Sequence, residues 1–314
     1  MNLAMRDAFG RKLESLGATH PELVVLDADV SSSTKSTYFA KAFPNRFFNC
    51  GVAEGNLCGV ASGLAASGYH PVVNAFAIFL ALKGADQIRN DACYNKLPII
   101  YAGAYGGLSD SFDGASHQSI TDIAIMRAFP NMEVIVPSDA TQAGQALEYA
   151  LGVQGPVYIR LNRNEMPDLP VSDDFETGKV IRIRSGSDVT IAANGITASF
   201  ANEAAGLLAS RGIEAEVLSV PFVKPLDAKG LEESVARTGR LITVEEHNLM
   251  GGFYGAVCEK FARDGVCCDM DAVGLEDVFT ETGDYIDLLA KYGISAEAIA
   301  SKAEKLIGRH EERR

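Results

Sequence analysis

Residues Phe47 to Ala75 read FFNCGVAEGNLCGVASGLAASGYHPVVNA. A short apolar stretch, Phe47 and Phe48, leads through Cys50, Gly51 and Val52 to a lone acid, Glu54. A helix of small residues over Gly55–Ser67 follows, then a short buried strand over Pro71–Ala75. Glycine and alanine at close spacing let a helix approach another backbone, so this one belongs deep in a core or at a subunit interface. A carboxylate at its mouth loses water, and desolvation raises a carboxyl pKa. A Glu that shares a proton in an apolar site is a catalytic tool. The bland reading is an acid that satisfies first-turn N–H groups and the positive end of the helix dipole.

Outward from this unit the pattern keeps alternating. Strands are expected at Leu23–Leu26, Pro98–Ala102, Glu133–Val136 and Val157–Arg160. Helices are expected at Leu80–Tyr94, Ile120–Ala128 and Ala140–Leu151. The polar, proline-bearing stretch Pro167–Lys179 breaks the rhythm and reads as a linker. A second set then begins: strands Val189–Ala193, Glu216–Val220 and Leu241–Glu245, helices Ala198–Ser210 and Phe253–Arg263, and a polar helix near Ala296–Ile307. The expected fold class is α/β with two domains, each a mostly parallel sheet flanked by helices. The expected boundaries are residues 1–168 and 180–314, with 169–179 between them.

The chain has 314 residues, ample for two cores of ordinary size, and 47% hydrophobic with 22% charged residues describes a globular protein. A net charge of -13 argues against nucleic acid or an anionic membrane as partner. No secretory signal is visible, and the apolar runs are too short and interrupted to span a bilayer. The six cysteines lack metal-ligand spacing, so reduced thiols, a cytoplasmic location and no metal site built by this chain alone are expected.

Thirty glycines invite a search for phosphate loops, but neither a Walker loop nor a dinucleotide fingerprint after a strand occurs. Gly251-Gly252, with Gly255, opens a helix and reads as a tight turn more readily than as an anion cradle. Gly103–His117, GAYGGLSDSFDGASH, is different. It follows a strand, is long for a connection, and carries Tyr105, Ser109, Asp110, Asp113, Ser116 and His117. Loops at the carboxyl ends of parallel strands are where α/β proteins place their sites.

GVAEGNLCGVASGLA, AFAIFL with ADQIR, FDGASHQSITDIAIMRAFPNM, VIVPSDA, VPFVKPLD and TVEEH, in this order and spacing, resemble transketolase over nearly the whole chain. More closely, the chain is similar to the C-terminal subunit of a split transketolase, a pyrimidine-binding domain plus a C-terminal domain. The resemblance implies a thiamine-diphosphate enzyme that moves a two-carbon ketol unit between sugars. The family's diphosphate domain, with its GDG metal motif, has no counterpart here. The resemblance therefore implies a partner subunit that supplies the Mg²⁺ and diphosphate site, as an α2β2 assembly.

Glu54 matches the family glutamate that hydrogen-bonds the cofactor's aminopyrimidine, where a shared proton favours the imino tautomer that takes the thiazolium proton. Phe76 and Phe79 match aromatics around that ring, with Phe79 the candidate for stacking. Asp29 matches an aspartate near the cofactor. Ser33, Arg6 and Arg163 match a substrate-phosphate site, for which a planar, permanently charged fork is suited. Asp113 and His117 match residues that read substrate hydroxyls and assist proton transfer. Three departures bear on the sugar handled: Lys83 and Ala85 stand where many split transketolases carry an Arg and a large aromatic, and Tyr105 stands where a histidine is usual. Lys83 and Tyr105 remain substrate-facing candidates for a phosphate or a sulfonate.

Three other readings share the fold: the beta subunit of a 2-oxoacid dehydrogenase's decarboxylating component, a piece of a deoxyxylulose-phosphate synthase, and a non-catalytic scaffold subunit. DGASHQ followed by SITDIAIMRAFPNM favours transketolase.

Overall fold

The computed structural model describes residues 3–171 and 175–312. The first sheet has seven strands in the order Phe222–Lys224, Glu133–Ile135, Val157–Leu161, Ile100–Ala104, His70–Phe76, Leu23–Asp27, Phe47–Asn49. All pairings are parallel except that of Phe222–Lys224, which runs antiparallel along the edge at Glu133–Ile135. The central strands are buried along their whole length, as LVVLD at Leu23–Asp27 and VYIRL at Val157–Leu161 show. Strands covered on both faces read as continuous apolar runs for this reason.

Helix Met5–Thr19 buries Met5, Phe9, Leu13 and Leu16, a stripe at helical spacing, and packs on helix Ala140–Leu151. The Asp139 carboxylate opens that second helix by accepting the Gln142 N–H at 2.8 Å. The second sheet, in the order Asp269–Leu275, Arg240–Asn248, Val189–Ala193, Ala215–Ser219, Ile181–Arg184, is parallel but for its last strand. The mostly parallel, helix-flanked α/β architecture is thus the one expected. Of the expected linker, 172–174 lie outside the described residues; beside them, Leu169 N–H donates to Asp139 at 3.0 Å.

Several elements differ from expectation. The helical run at Leu80–Tyr94 is three pieces: Ala77–Lys83, Ala85–Gln87 and a π-helical turn at Ile88–Cys93. The break falls at Gly84, where a Cβ would stand 2.8 Å from Cys58 Sγ of the Glu54 helix and 2.9 Å from the Leu80 carbonyl. Helix Ala228–Thr238 and strand Asp269–Leu275 were not expected, the strand because its acidic opening hides the apolar alternation. At the Gly251-Gly252 turn the Glu245 carboxylate accepts the first helical N–H groups, from Phe253 at 2.6 Å and Tyr254 at 2.8 Å. Among the described residues no helix is long and apolar enough to cross a membrane.

Candidate active site at the carboxyl edge of the first sheet

Because its strands are parallel, the first sheet brings the residues after Asp27, Asn49, Phe76, Ala104 and Leu161 to one edge. Glu54 opens helix Glu54–Ala66 there and is only 4% exposed. It is the acid of that helix's first turn, where the dipole favours a negative charge, and the N-cap residue before it is Ala53, which has no side-chain acceptor. The Glu54 carboxylate lies 3.6 Å from Lys83 Nζ, and that ammonium sits 4.2 Å from the centre of the Phe79 ring. A cation over an aromatic face contributes about 0.5–1 kcal/mol where water has access.

Phe79 is the first member of an aromatic chain. Its ring meets His117 edge-on at 5.1 Å; Phe76 lies 6.2 Å from both and stacks on Tyr105 at 4.7 Å, 18° from parallel. Each such pair adds roughly 0.5–1.5 kcal/mol beyond its buried area. Tyr105 ends the chain among cations. Its hydroxyl accepts from Arg6 Nη1, and the Arg6 and Arg163 guanidinium carbons lie 5.5 and 4.9 Å from its ring centre. Tyr105 holds φ at +64°, a left-handed backbone that a bulky residue adopts only when its surroundings enforce it.

Arg6 also donates to the Ser33 carbonyl at 3.2 Å. Asp27 shapes the turn that offers this carbonyl: its carboxylate accepts from Val30 N–H at 2.6 Å, Ser36 Oγ at 2.8 Å and Thr34 Oγ1 at 3.0 Å. Burial pushes the Asp27 carboxyl above its usual range against the pull of those donors. Asp29 accepts from Asn49 Nδ2 at 2.7 Å, and among the described residues no hydrogen bond or ion pair joins it to the other expected site residues. Asp113 is exposed on the loop, and Ser116 Oγ lies 3.0 Å from His117 Nδ1.

Asp110 is the residue whose role the sequence did not signal beyond its membership of the loop. It is buried and pairs with Arg163 Nη1 at 2.7 Å. Burial first, then the charge and hydrogen bond of the neighbouring Asp113 carboxyl, push it up to about 6, against the pull of Arg163 and His117. Two acids three apart in a loop at a strand end were the available signal.

The donor set divides into two ends. Glu54 and Phe79 present a buried carboxyl beside an aromatic face, a fit for a flat, nitrogen-bearing ring that takes one hydrogen bond at its edge. Arg6, Arg163 and Tyr105 present fixed cations and a hydroxyl, a fit for an anion. Among the described residues no group of three or more His, Cys, Asp or Glu is placed to hold a metal ion.

The profile described as transketolase, pyrimidine binding domain, matches residues 1–168, and that of the transketolase C-terminal domain matches 178–299. The "Putative transketolase C-terminal section" of Methanocaldococcus jannaschii is 38% identical over 301 residues, covering 95% of this chain and 94% of that one. One of the subunits of the apulose-4-phosphate transketolase of Phocaeicola vulgatus is 33% identical, with 97% of this chain and 98% of that one covered. The 1-deoxy-D-xylulose-5-phosphate synthase of Desulforudis audaxviator is 36% identical, but the chain spans only 48% of its length. A solved split gene transketolase, an inactive beta4 tetramer, superposes with a TM-score of 0.89 at 43% identity, covering 98% of this chain and 99% of that one. The chain belongs to the transketolase family and carries its pyrimidine-binding and C-terminal domains.

Proposed function

We propose that this chain is the pyrimidine-binding subunit of a split, thiamine-diphosphate-dependent transketolase that moves a two-carbon ketol unit from an anionic ketose to an aldose. The observation that carries the reading is the buried Glu54 carboxyl, linked through Lys83 to the Phe79 ring, at the same sheet edge as the Arg6–Tyr105–Arg163 cluster. The two matched domains and the split relatives support it. A diphosphate-binding domain, with Mg²⁺, is assigned to a partner subunit in an α2β2 assembly in the cytoplasm.

Thiamine diphosphate, when bound, supplies the carbon nucleophile to which the two-carbon unit is joined. Glu54 would hold a proton at the aminopyrimidine edge, and Phe79 would cover the ring face and exclude water. Phe76 and Asp29 would complete the cofactor's surroundings. Arg6, Arg163 and Ser33 would bind the sugar's terminal anion, Tyr105 and Lys83 would set which anion fits, and Asp113 and His117 would orient hydroxyls, with His117 also moving a proton there. One specific observation favours a second reading: the deoxyxylulose-phosphate synthase relatives match at identities close to those of the transketolase relatives.

Calorimetric titration of thiamine diphosphate and Mg²⁺ into this chain, the diphosphate-domain subunit and their mixture tests the assembly. Saturable binding that needs both chains, and weakens at least tenfold with Glu54→Gln, is expected. Equal binding by either chain alone would overturn it. An assay of the loaded mixture for 1-deoxy-D-xylulose 5-phosphate decides for or against the second reading.

A further inference from the structure

We propose that Glu246, a residue of the second sheet, is a positioning residue for the anion-binding end of the site on the first. The inference rests on the reading above that Tyr105 and Arg163 face the substrate. Glu246 lies near the end of strand Arg240–Asn248 and is enclosed. Its Oε1 accepts the Leu108 N–H at 2.7 Å, and its Oε2 faces Asn162 Nδ2 at 3.4 Å. Asn162 donates to the Tyr285 hydroxyl at 2.7 Å, and that hydroxyl also bonds Glu246. Arg160 clamps the backbone behind it, donating to the Glu246 carbonyl at 3.0 Å and to the Ser119 carbonyl at 2.7 Å.

One carboxylate therefore ties together the two segments that carry the anion-facing groups. On one side the turn from Tyr105 to Leu108 is closed around it: Gly107 has φ +66°, and a Cβ there would stand 2.3 Å from Glu246 Cδ. The left-handed Tyr105 lies three residues before the bonded Leu108, and Asp110 two after it. On the other side Asn162 precedes Arg163, the partner of Asp110. An enclosed carboxylate is costly unless its acceptors are met, and here each oxygen faces a donor from one segment. A carboxamide keeps one acceptor but turns an N–H₂ toward Asn162 Nδ2, whose own Oδ1 is held by Asn164 N–H at 2.8 Å.

The test compares wild type, Glu246→Gln and the milder Tyr285→Phe. Each is followed by hydrogen exchange of the full chain and by ketol-transfer kinetics in the mixture with the diphosphate-domain subunit. For Glu246→Gln the expected result is faster exchange confined to 103–117 and the Asn162–Arg163 segment, with KM for the anionic sugar raised about tenfold and kcat within threefold. Tyr285→Phe should move the same quantities in the same direction by less, and it decides the matter if Glu246→Gln does not fold. Unchanged exchange at Leu108, or a loss of kcat with KM untouched, overturns the proposal. If the wild-type mixture shows no ketol transfer, the functional reading fails while the exchange pattern still decides the positioning role.

Discussion

Glu54 lies buried in the first turn of its helix and meets Lys83 at 3.6 Å. Replacing Glu54 by Gln keeps the shape and removes the shared proton. Ketol transfer should fall by roughly 10²–10⁴-fold, the usual weight of a positioned acid or base, with the melting temperature within a degree or so of wild type. A parallel loss of stability would assign Glu54 to the helix instead. At the other end of the site, Arg163 offers one face to Tyr105 and one nitrogen to Asp110. A lysine keeps the charge but not the planar fork. Arg163→Lys should raise KM for an anionic sugar by about tenfold, some 1.4 kcal/mol, and leave cofactor affinity alone.

At the scale of elements, the Glu54 helix and the Ala77–Lys83 helix meet at Gly84. Gly84→Ala should cost about 1–3 kcal/mol in denaturant unfolding by overpacking. It should also weaken cofactor binding, because the displaced element carries Phe79 and Lys83. The loop at 103–117 gives a pH dependence. Asp110 titrates near 6, raised by burial and by Asp113, with Arg163 and His117 opposing. Above that pH it is ionised and holds Arg163; below it, a proton releases the guanidinium. Inhibition by sulfate, whose charge is constant over this range, should strengthen as pH falls from 7 to 5, and Asp110→Asn should remove the dependence.

Much of this scale was legible in the sequence, because strands buried on both faces and a small-residue helix leave strong periodic signals. Glu54, Phe76, Phe79, Tyr105, His117, Arg6, Ser33 and Arg163 do converge on one edge. The Gly84 break and the Phe222–Lys224 strand were hidden because they depend on contacts between elements distant in sequence. The roles of Asp110 and Glu246 depend in the same way on partners distant in sequence, Arg163 for the one and Leu108 for the other.

At the scale of the whole molecule, a charge of -13 repels anionic substrates in general, so local cations must overcome it. Around Glu54 the chain exposes Val52 at 72%, Leu82 at 57% and Val60 at 38%. Such exposed apolar groups beside the Glu54 carboxyl suit a surface covered in an assembly. Val60→Glu should leave the chain folded by circular dichroism but abolish the heteromer in sedimentation velocity; an unaffected heteromer would place the interface elsewhere.

The decisive measurement is ketol transfer from xylulose 5-phosphate to ribose 5-phosphate with thiamine diphosphate and Mg²⁺. It would be measured for this chain alone and then mixed with the diphosphate-domain subunit, with other anionic ketoses as further donors. Turnover is expected in the mixture only, and should be lost with Glu54→Gln. A stable, cofactor-loaded mixture silent toward every donor, or one indifferent to that substitution, would contradict the proposed function.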